Sequence, residues 1–160
     1  MAILTVQCYI EDNGKTLMLQ RNKKKNDIHE GKWVGIGGHM EIAETSDEAI
    51  IREIFEETGL TPKNLQLHGV ITFPNFKGDG EDDTMYLYSA NGYTGEMIEC
   101  NEGKLEWIDN EILDTLNMWE GDKIYFKWMK EKGFFVAKIV YNPDETIKDY
   151  SINWYNRQWL

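Results

Sequence analysis

Apolar and polar positions fall into short β-prone runs at both ends of the chain, with helical spacing between them. Residues 3 to 10 and 16 to 20 are two such runs, parted by Glu11-Asp12-Asn13-Gly14. Asn-Gly between strand-like segments predicts a hairpin, because the tight turn needs φ > 0 at both central residues. A basic, polar stretch over 21–27 leads into Gly31-Lys32-Trp33-Val34-Gly35-Ile36-Gly37-Gly38, whose four glycines predict a loop suited to close backbone approach. Residues 46 to 58 read as a helix: Thr45 with Glu48 forms a capping box, and Gly59 supplies a left-handed stop. Further β-prone runs lie at 66–73, 84–89 and 104–108, the first two joined by an acidic, glycine-containing loop at 77–83. Helical patterns at 111–117 and 121–131 precede strand-like segments at 134–141 and 147–154, which flank the turn Asn142-Pro143-Asp144-Glu145. With no repeat or low-complexity tract, the pattern predicts a single domain of mixed α and β structure (α+β) over 1–160.

Composition narrows what such a domain does. Seventeen basic residues against 28 acidic ones give a net charge of −11, which argues against holding a long nucleic acid by charge neutralisation. At 41% apolar and 12% aromatic residues the chain can bury a core and is not an acidic disordered tail. Cys8 and Cys100 sit apart beside apolar residues, so buried free thiols are expected rather than zinc ligands or a dithiol pair. The N-terminal residues lack the basic and long apolar regions of a signal peptide and no apolar run approaches a membrane span, so the expectation is a cytoplasmic protein with no membrane partner.

The helix at 46–58 carries the candidate chemistry. At about 100° per residue, Ile50, Ile51, Ile54 and Phe55 are assigned to the side that packs on a sheet, and Arg52, Glu53, Glu56 and Glu57 to the outward side. Three glutamates at i, i+3 and i+4 repel one another by a few tenths of a kcal/mol per pair. Arg52 offsets one of these charges, whereas a hard divalent cation such as Mg²⁺ or Mn²⁺ would offset all three. A solvated acidic face is the other reading of such a cluster. Around it the chain runs from Gly38 through Glu44 to Arg52-Glu53-Ile54-Phe55-Glu56-Glu57-Thr58-Gly59-Leu60, filling the pattern G-x5-E-x7-R-E-U-x-E-E-x-G-U, where U is aliphatic.

That pattern, over residues 38–60, resembles the signature box of the Nudix hydrolases. The resemblance implies an α/β/α sandwich on a mixed β-sheet, with the box as loop, helix and loop. It also implies a site in which glutamates bind Mg²⁺ that activates water to cleave a nucleoside diphosphate linked to another group. Carried over by position, Glu53, Glu56 and Glu57 are the metal set, with the Gly38 carbonyl a further ligand, and Arg52 orients the glutamates. Phosphoanhydride cleavage needs charge neutralised on its oxygens and a nucleophile held in line, and no nucleophilic Ser or Cys. His29 and His68 are read as surface or packing residues; His39 lies within the box.

Flanking segments at 21–33, 69–74, 100–107, 118–122 and 134–141 are similar to the MutT-type enzymes that sanitise oxidised purine nucleotides, the 8-oxo-dGTP diphosphatase type. On that likeness Glu102 reaches the metal cluster from a separate loop and positions or deprotonates the attacking water, a role it shares as a candidate with Glu44 and Glu57. Trp119 stacks the purine, Asp122 reads its edge, and Arg21 and Lys23 lie near the phosphates; Gly37 and Phe73 complete the substrate set. Val34 stands where the mammalian members have a base-reading asparagine, Gly121 where they have the first of two aspartates, and His39 where lysine is common. The expectation is a Mg²⁺-dependent nucleoside triphosphate pyrophosphohydrolase, a monomer or weak dimer with a small nucleotide substrate and no stable nucleic-acid partner. The alternatives are a Nudix hydrolase of ADP-ribose, of another nucleotide or of capped RNA, and a nucleotide-sensing module without turnover.

Overall fold

The computed structural model describes residues 2–23 and 25–156; Met1, Lys24 and residues 157–160 lie outside the description. In chain order the elements are β1 (Ala2–Asp12), β2 (Lys15–Arg21), β3 (Trp33–Val34), β4 (Ile36–His39), α1 (Ser46–Thr58), β5 (Leu60–Pro62), β6 (Gln66–Phe73), β7 (Asp82–Asn91), β8 (Tyr93–Gly95), β9 (Gly103–Asp109), a 3₁₀ turn (Asn110–Thr115), α2 (Glu120–Met129), β10 (Phe134–Tyr141) and β11 (Ile147–Tyr155). Nine of these strands form one mixed sheet in the order β11-β10-β6-β7-β1-β2-β3, with β4 alongside β1 and β9 alongside β2. β5 and β8 pair separately.

Strand β1 organises the sheet. It runs parallel to β7 from Ala2 opposite Asp82 to Glu11 opposite Asn91. On its other edge it pairs antiparallel with β4, then turns into β2 through Asn13 and Gly14, both at φ > 0 as the hairpin reading requires. Side chains alternate across a strand. Val6, Cys8 and Ile10 therefore meet Ile50 and Ile54 of α1 on one face, while Tyr9 joins Met85, Leu87, Phe135 and Tyr125 of α2 on the other. Helix, sheet and helix form the expected α/β/α sandwich, and Cys8 and Cys100 are buried free thiols. Among the described residues no helix is long and apolar enough to cross a membrane.

Several expectations change. The glycine-rich run is not a loop throughout, for it holds β3 and β4. A Cβ on Gly37 would stand 1.9 Å from the Val6 carbonyl oxygen, so glycine here lets β4 lie against β1. The helix expected over 111–117 is a 3₁₀ turn, that over 121–131 is shifted to Glu120–Met129, and β5 and β8 are additional. The phase of α1 is also different. Ile50 and Ile54 are fully buried, but Ile51 and Phe55 are 44% and 58% exposed, and Glu57 is buried at 9%. At ~100° per residue Glu57 lies only about 20° from Ile50, whereas Ile51 lies about 100° away. The buried arc thus includes a glutamate and excludes two large apolar side chains.

Candidate active site

Helix α1 starts at the predicted cap: the Thr45 side chain accepts the Glu48 amide at 3.1 Å, and the Glu48 carboxylate accepts the Thr45 amide at 3.0 Å. It ends at Gly59 with φ 79°. Fixed at both ends, the helix presents Glu53 and Glu57 to a cleft of about 530 Å³, lined also by Arg21, Gly37, Gly38 and Glu102. The backbone of Gly38 lies against the Glu53 carboxylate so closely that a Cβ on Gly38 would stand 2.5 Å from Glu53 Cδ. Glycine keeps that approach open.

Arg52 fastens the loop before α1 to the helix. Its Nε and Nη2 donate to the two Glu44 carboxylate oxygens at 2.6 and 2.9 Å, its Nη2 also to the His39 carbonyl at 3.1 Å, and its Nη1 to Glu53 at 2.8 Å and Glu56 at 3.2 Å. A bidentate guanidinium–carboxylate pair fixes direction as well as distance. Arg52, together with the Glu41 amide that donates to Glu44 Oε1 at 2.8 Å, holds the Glu44 carboxyl below the usual range.

The buried carboxylates are strained electrostatically. Burial raises the Glu57 pKa, and the charges of Glu102 and Glu53 add to the rise, together with a hydrogen bond between Glu57 and Glu102. Burial likewise raises Glu53, against the hydrogen bond from Arg52. Oε2 of Glu57 is buried without a hydrogen-bond partner. An orphaned carboxylate oxygen beside two more carboxylates suits a hard divalent cation, whose charge inverts this pKa pattern. Among the described residues no three acidic, imidazole or thiol side chains close on one point; the donor chemistry fits, and the shell is not drawn in.

At the aromatic end, Trp119 is 6% exposed and its Nε1 donates to His29 Nδ1 at 2.8 Å. Burial, with Arg21 nearby, lowers the His29 pKa to about 4, so the ring is neutral and Nδ1 is free to accept. Phe76 lies 4.9 Å from the Trp119 ring and Tyr141 5.3 Å, centroid to centroid, with Lys32 Nζ 4.8 Å from the Trp119 ring centre. Phe73 stacks on Tyr141 at 6.3 Å. Asp122 is buried, accepts the Tyr125 hydroxyl, and has its pKa raised to about 7 by burial, with Tyr125 and Lys32 opposing the rise. Gln7 Nε2 donates to the hydroxyls of Tyr9 at 2.8 Å and Tyr125 at 2.9 Å.

Of the residues singled out from sequence, Arg21, Gly37, Gly38, Glu53, Phe73, Glu57, Glu102, Trp119 and Asp122 line this one cleft. Arg21 pairs with Asp27 at 2.8 Å and with Glu102 at 3.4 Å. Glu44, Arg52 and Glu56 do not line it, and Glu56 is 57% exposed and paired with Arg52. Lys23 is exposed and donates to the Cys100 carbonyl at 2.7 Å, outside the lining. Sequence reasoning missed Gln7, Phe76, Tyr125 and Tyr141 as lining residues and gave His29 only a surface or packing role. Gln7 had a signal, being a polar residue inside an apolar central strand.

The NUDIX domain family matches residues 1–129 of the chain. The chain is 32% identical to the oxidized purine nucleoside triphosphate hydrolase of Danio rerio, over 81% of its own length and 83% of that relative. It is 42% identical to the ADP-ribose pyrophosphatase of Methanocaldococcus jannaschii, over 96% of its own length and 75% of that relative. Among solved structures it superposes on the MutT protein from Bacillus halodurans with a TM-score of 0.81 at 31% identity, covering 94% of this chain and 97% of that one.

Proposed function

The chain belongs to the NUDIX hydrolase family, and from that premise we propose that it hydrolyses purine nucleoside triphosphates, oxidised ones such as 8-oxo-dGTP foremost, to the nucleoside monophosphate and pyrophosphate with Mg²⁺. One observation carries the reading: a single cleft joins an aromatic end with a buried carboxyl (Trp119, Phe76, Asp122) to a carboxylate-rich end (Gly38, Glu53, Glu57, Glu102). A base and its polyphosphate need those two chemistries side by side.

In this reading Glu53, Glu56, Glu57, Glu102 and the Gly38 carbonyl hold Mg²⁺, or Mn²⁺ in its place. Bound there, the ion supplies the charge neutralisation that phosphoanhydride cleavage requires. The protein's own part is positioning. Arg52 binds no substrate; through Glu44, the His39 carbonyl and Glu53 it holds the helix and the glycine strand in one geometry. Arg21 meets phosphate oxygens while Asp27 fixes its guanidinium. Burial and the Glu102 charge raise the Glu57 pKa in the ion-free site, and one of this pair receives the proton of the attacking water. Trp119, with His29 accepting its indole N–H, fixes the plane of the base. A nucleotide-pool substrate suits a cytoplasmic protein acting as a monomer or weak dimer.

A panel of 8-oxo-dGTP, dGTP, 2-hydroxy-dATP, ADP-ribose and diadenosine polyphosphates at equal concentration with Mg²⁺, with products separated by chromatography, tests the assignment. The expected result is the highest kcat/KM for 8-oxo-dGTP; equality with dGTP sinks the sanitising role. The 42% identity to an ADP-ribose pyrophosphatase favours ADP-ribose as the second reading, which takes precedence if ADP-ribose is cleaved faster than every triphosphate.

A further inference from the structure

The position where the MutT-type pattern has the first of two aspartates is Gly121, and its space is not empty. The Gly121 amide donates to the Tyr141 hydroxyl oxygen at 2.6 Å, and a Cβ on Gly121 would stand 2.5 Å from that same oxygen. Tyr141 ends β10, and Gly121 lies in the first turn of α2, whose leading amides have no partner inside the helix. The two residues fit each other: glycine leaves room for the phenol, and the phenol satisfies a helix amide.

This arrangement orients the phenol. Because its oxygen accepts from Gly121, its own proton points elsewhere. Burial and the neighbouring Asp122 carboxyl raise the Tyr141 pKa, so the group remains a neutral O–H donor. Its ring is packed at 5.3 Å from Trp119 and 5.7 Å from Phe76, and both it and Asp122 line the cleft.

We infer that Tyr141 determines base specificity here: its hydroxyl, held by the Gly121 amide in the space an aspartate side chain would fill, donates to a carbonyl oxygen of the purine. The inference rests on the reading of this cleft as a purine nucleotide site. A carboxylate at 121 would select a base-edge donor, whereas a phenol selects an acceptor, so the change reverses the polarity of one contact.

Calorimetric binding of product-like monophosphates tests this independently of turnover. The ligands are 8-oxo-dGMP, dGMP, which lacks the C8 carbonyl, and 2-aminopurine deoxyriboside monophosphate, which lacks both carbonyls. The wild-type chain is expected to lose about tenfold in affinity at the removal of one of the two carbonyls, the loss of one hydrogen bond. In Tyr141→Phe that difference disappears, while affinity for Mg²⁺-pyrophosphate is unchanged. Gly121→Ala, which keeps the phenol but pushes its oxygen aside, is expected to erase the same difference, and thermal melts confirm that each variant folds. If the analogue penalties persist in both variants, Tyr141 is not the reader. If the wild type binds no purine monophosphate, this inference and the proposed function both fall; selective binding without triphosphate hydrolysis overturns the proposed function alone.

Discussion

Asp122 keeps a carboxyl fully enclosed, with Tyr125 as its hydrogen-bond donor, and its pKa rises to about 7 because burial penalises the charge. The unfolded chain releases this proton near the ordinary value of 3.8, so the folded state binds more protons between those two values. Asp122 therefore costs stability as the pH climbs from about 4 to about 7, by at most about 4 kcal/mol. Asp122→Asn, whose amide oxygen still accepts from Tyr125, is expected to flatten that decline and raise Tm at pH 8; a melting series across pH 5–8 decides, and an unchanged slope removes Asp122 as the cause. Glu56 poses the converse case. It is the most exposed of Glu53, Glu56 and Glu57, so Glu56→Gln should leave the ion-free melt unchanged while lowering kcat about 100-fold, the scale of losing a metal-supporting group. Steady-state rates near wild type would take Glu56 out of the metal set.

Among the elements, α1 was legible at both ends because capping is local: Thr45, Glu48 and Gly59 act within one turn of themselves. Thr45→Ala is expected to cost about 1 kcal/mol in urea unfolding, and a change below a few tenths would mean the cap is redundant. The phase of the same helix was less legible. Counting apolar residues put Ile51 and Phe55 inward and Glu53 and Glu57 outward, but what lies over Glu53 and Glu57 is the cleft rather than solvent, and it is Ile51 and Phe55 that are exposed. The glycine strands and the β5–β8 pair were missed for a related reason: β4 exists only because β1 lies beside it, and β5 only because β8 does. Partners dozens of residues away leave no periodic trace in so short a segment.

Across the whole molecule, the net charge of −11 finds part of its meaning in the cleft, where Glu53, Glu57 and Glu102 gather. A divalent cation that binds only the folded cluster stabilises it by linkage, about 2.7 kcal/mol at a hundredfold excess over Kd, or roughly 5–10 °C in Tm for a chain of this size. Differential scanning calorimetry with Mg²⁺ against an ionic-strength-matched monovalent salt checks this, and equal shifts would mean screening rather than a site. Most of the carboxylate-rich end of the cleft could be read from one contiguous motif, with Glu102 coming from a separate segment. The aromatic end could be read only in part, since Gln7, His29, Phe76 and Tyr141 come from four distant segments and each alone reads as packing.

The parallel pairing of β1 with β7 also bears on how the molecule comes into being. β1 meets its longest partner only after about eighty more residues have been made, from Ala2 opposite Asp82 onward. Until then only the hairpin into β2 and the shorter contact with β4 can shield it. Closing so large a loop before any contact repays it slows folding. Refolding is thus expected in the slower range for domains of this size, and the nascent chain carries an apolar strand with an open edge until β7 has been made.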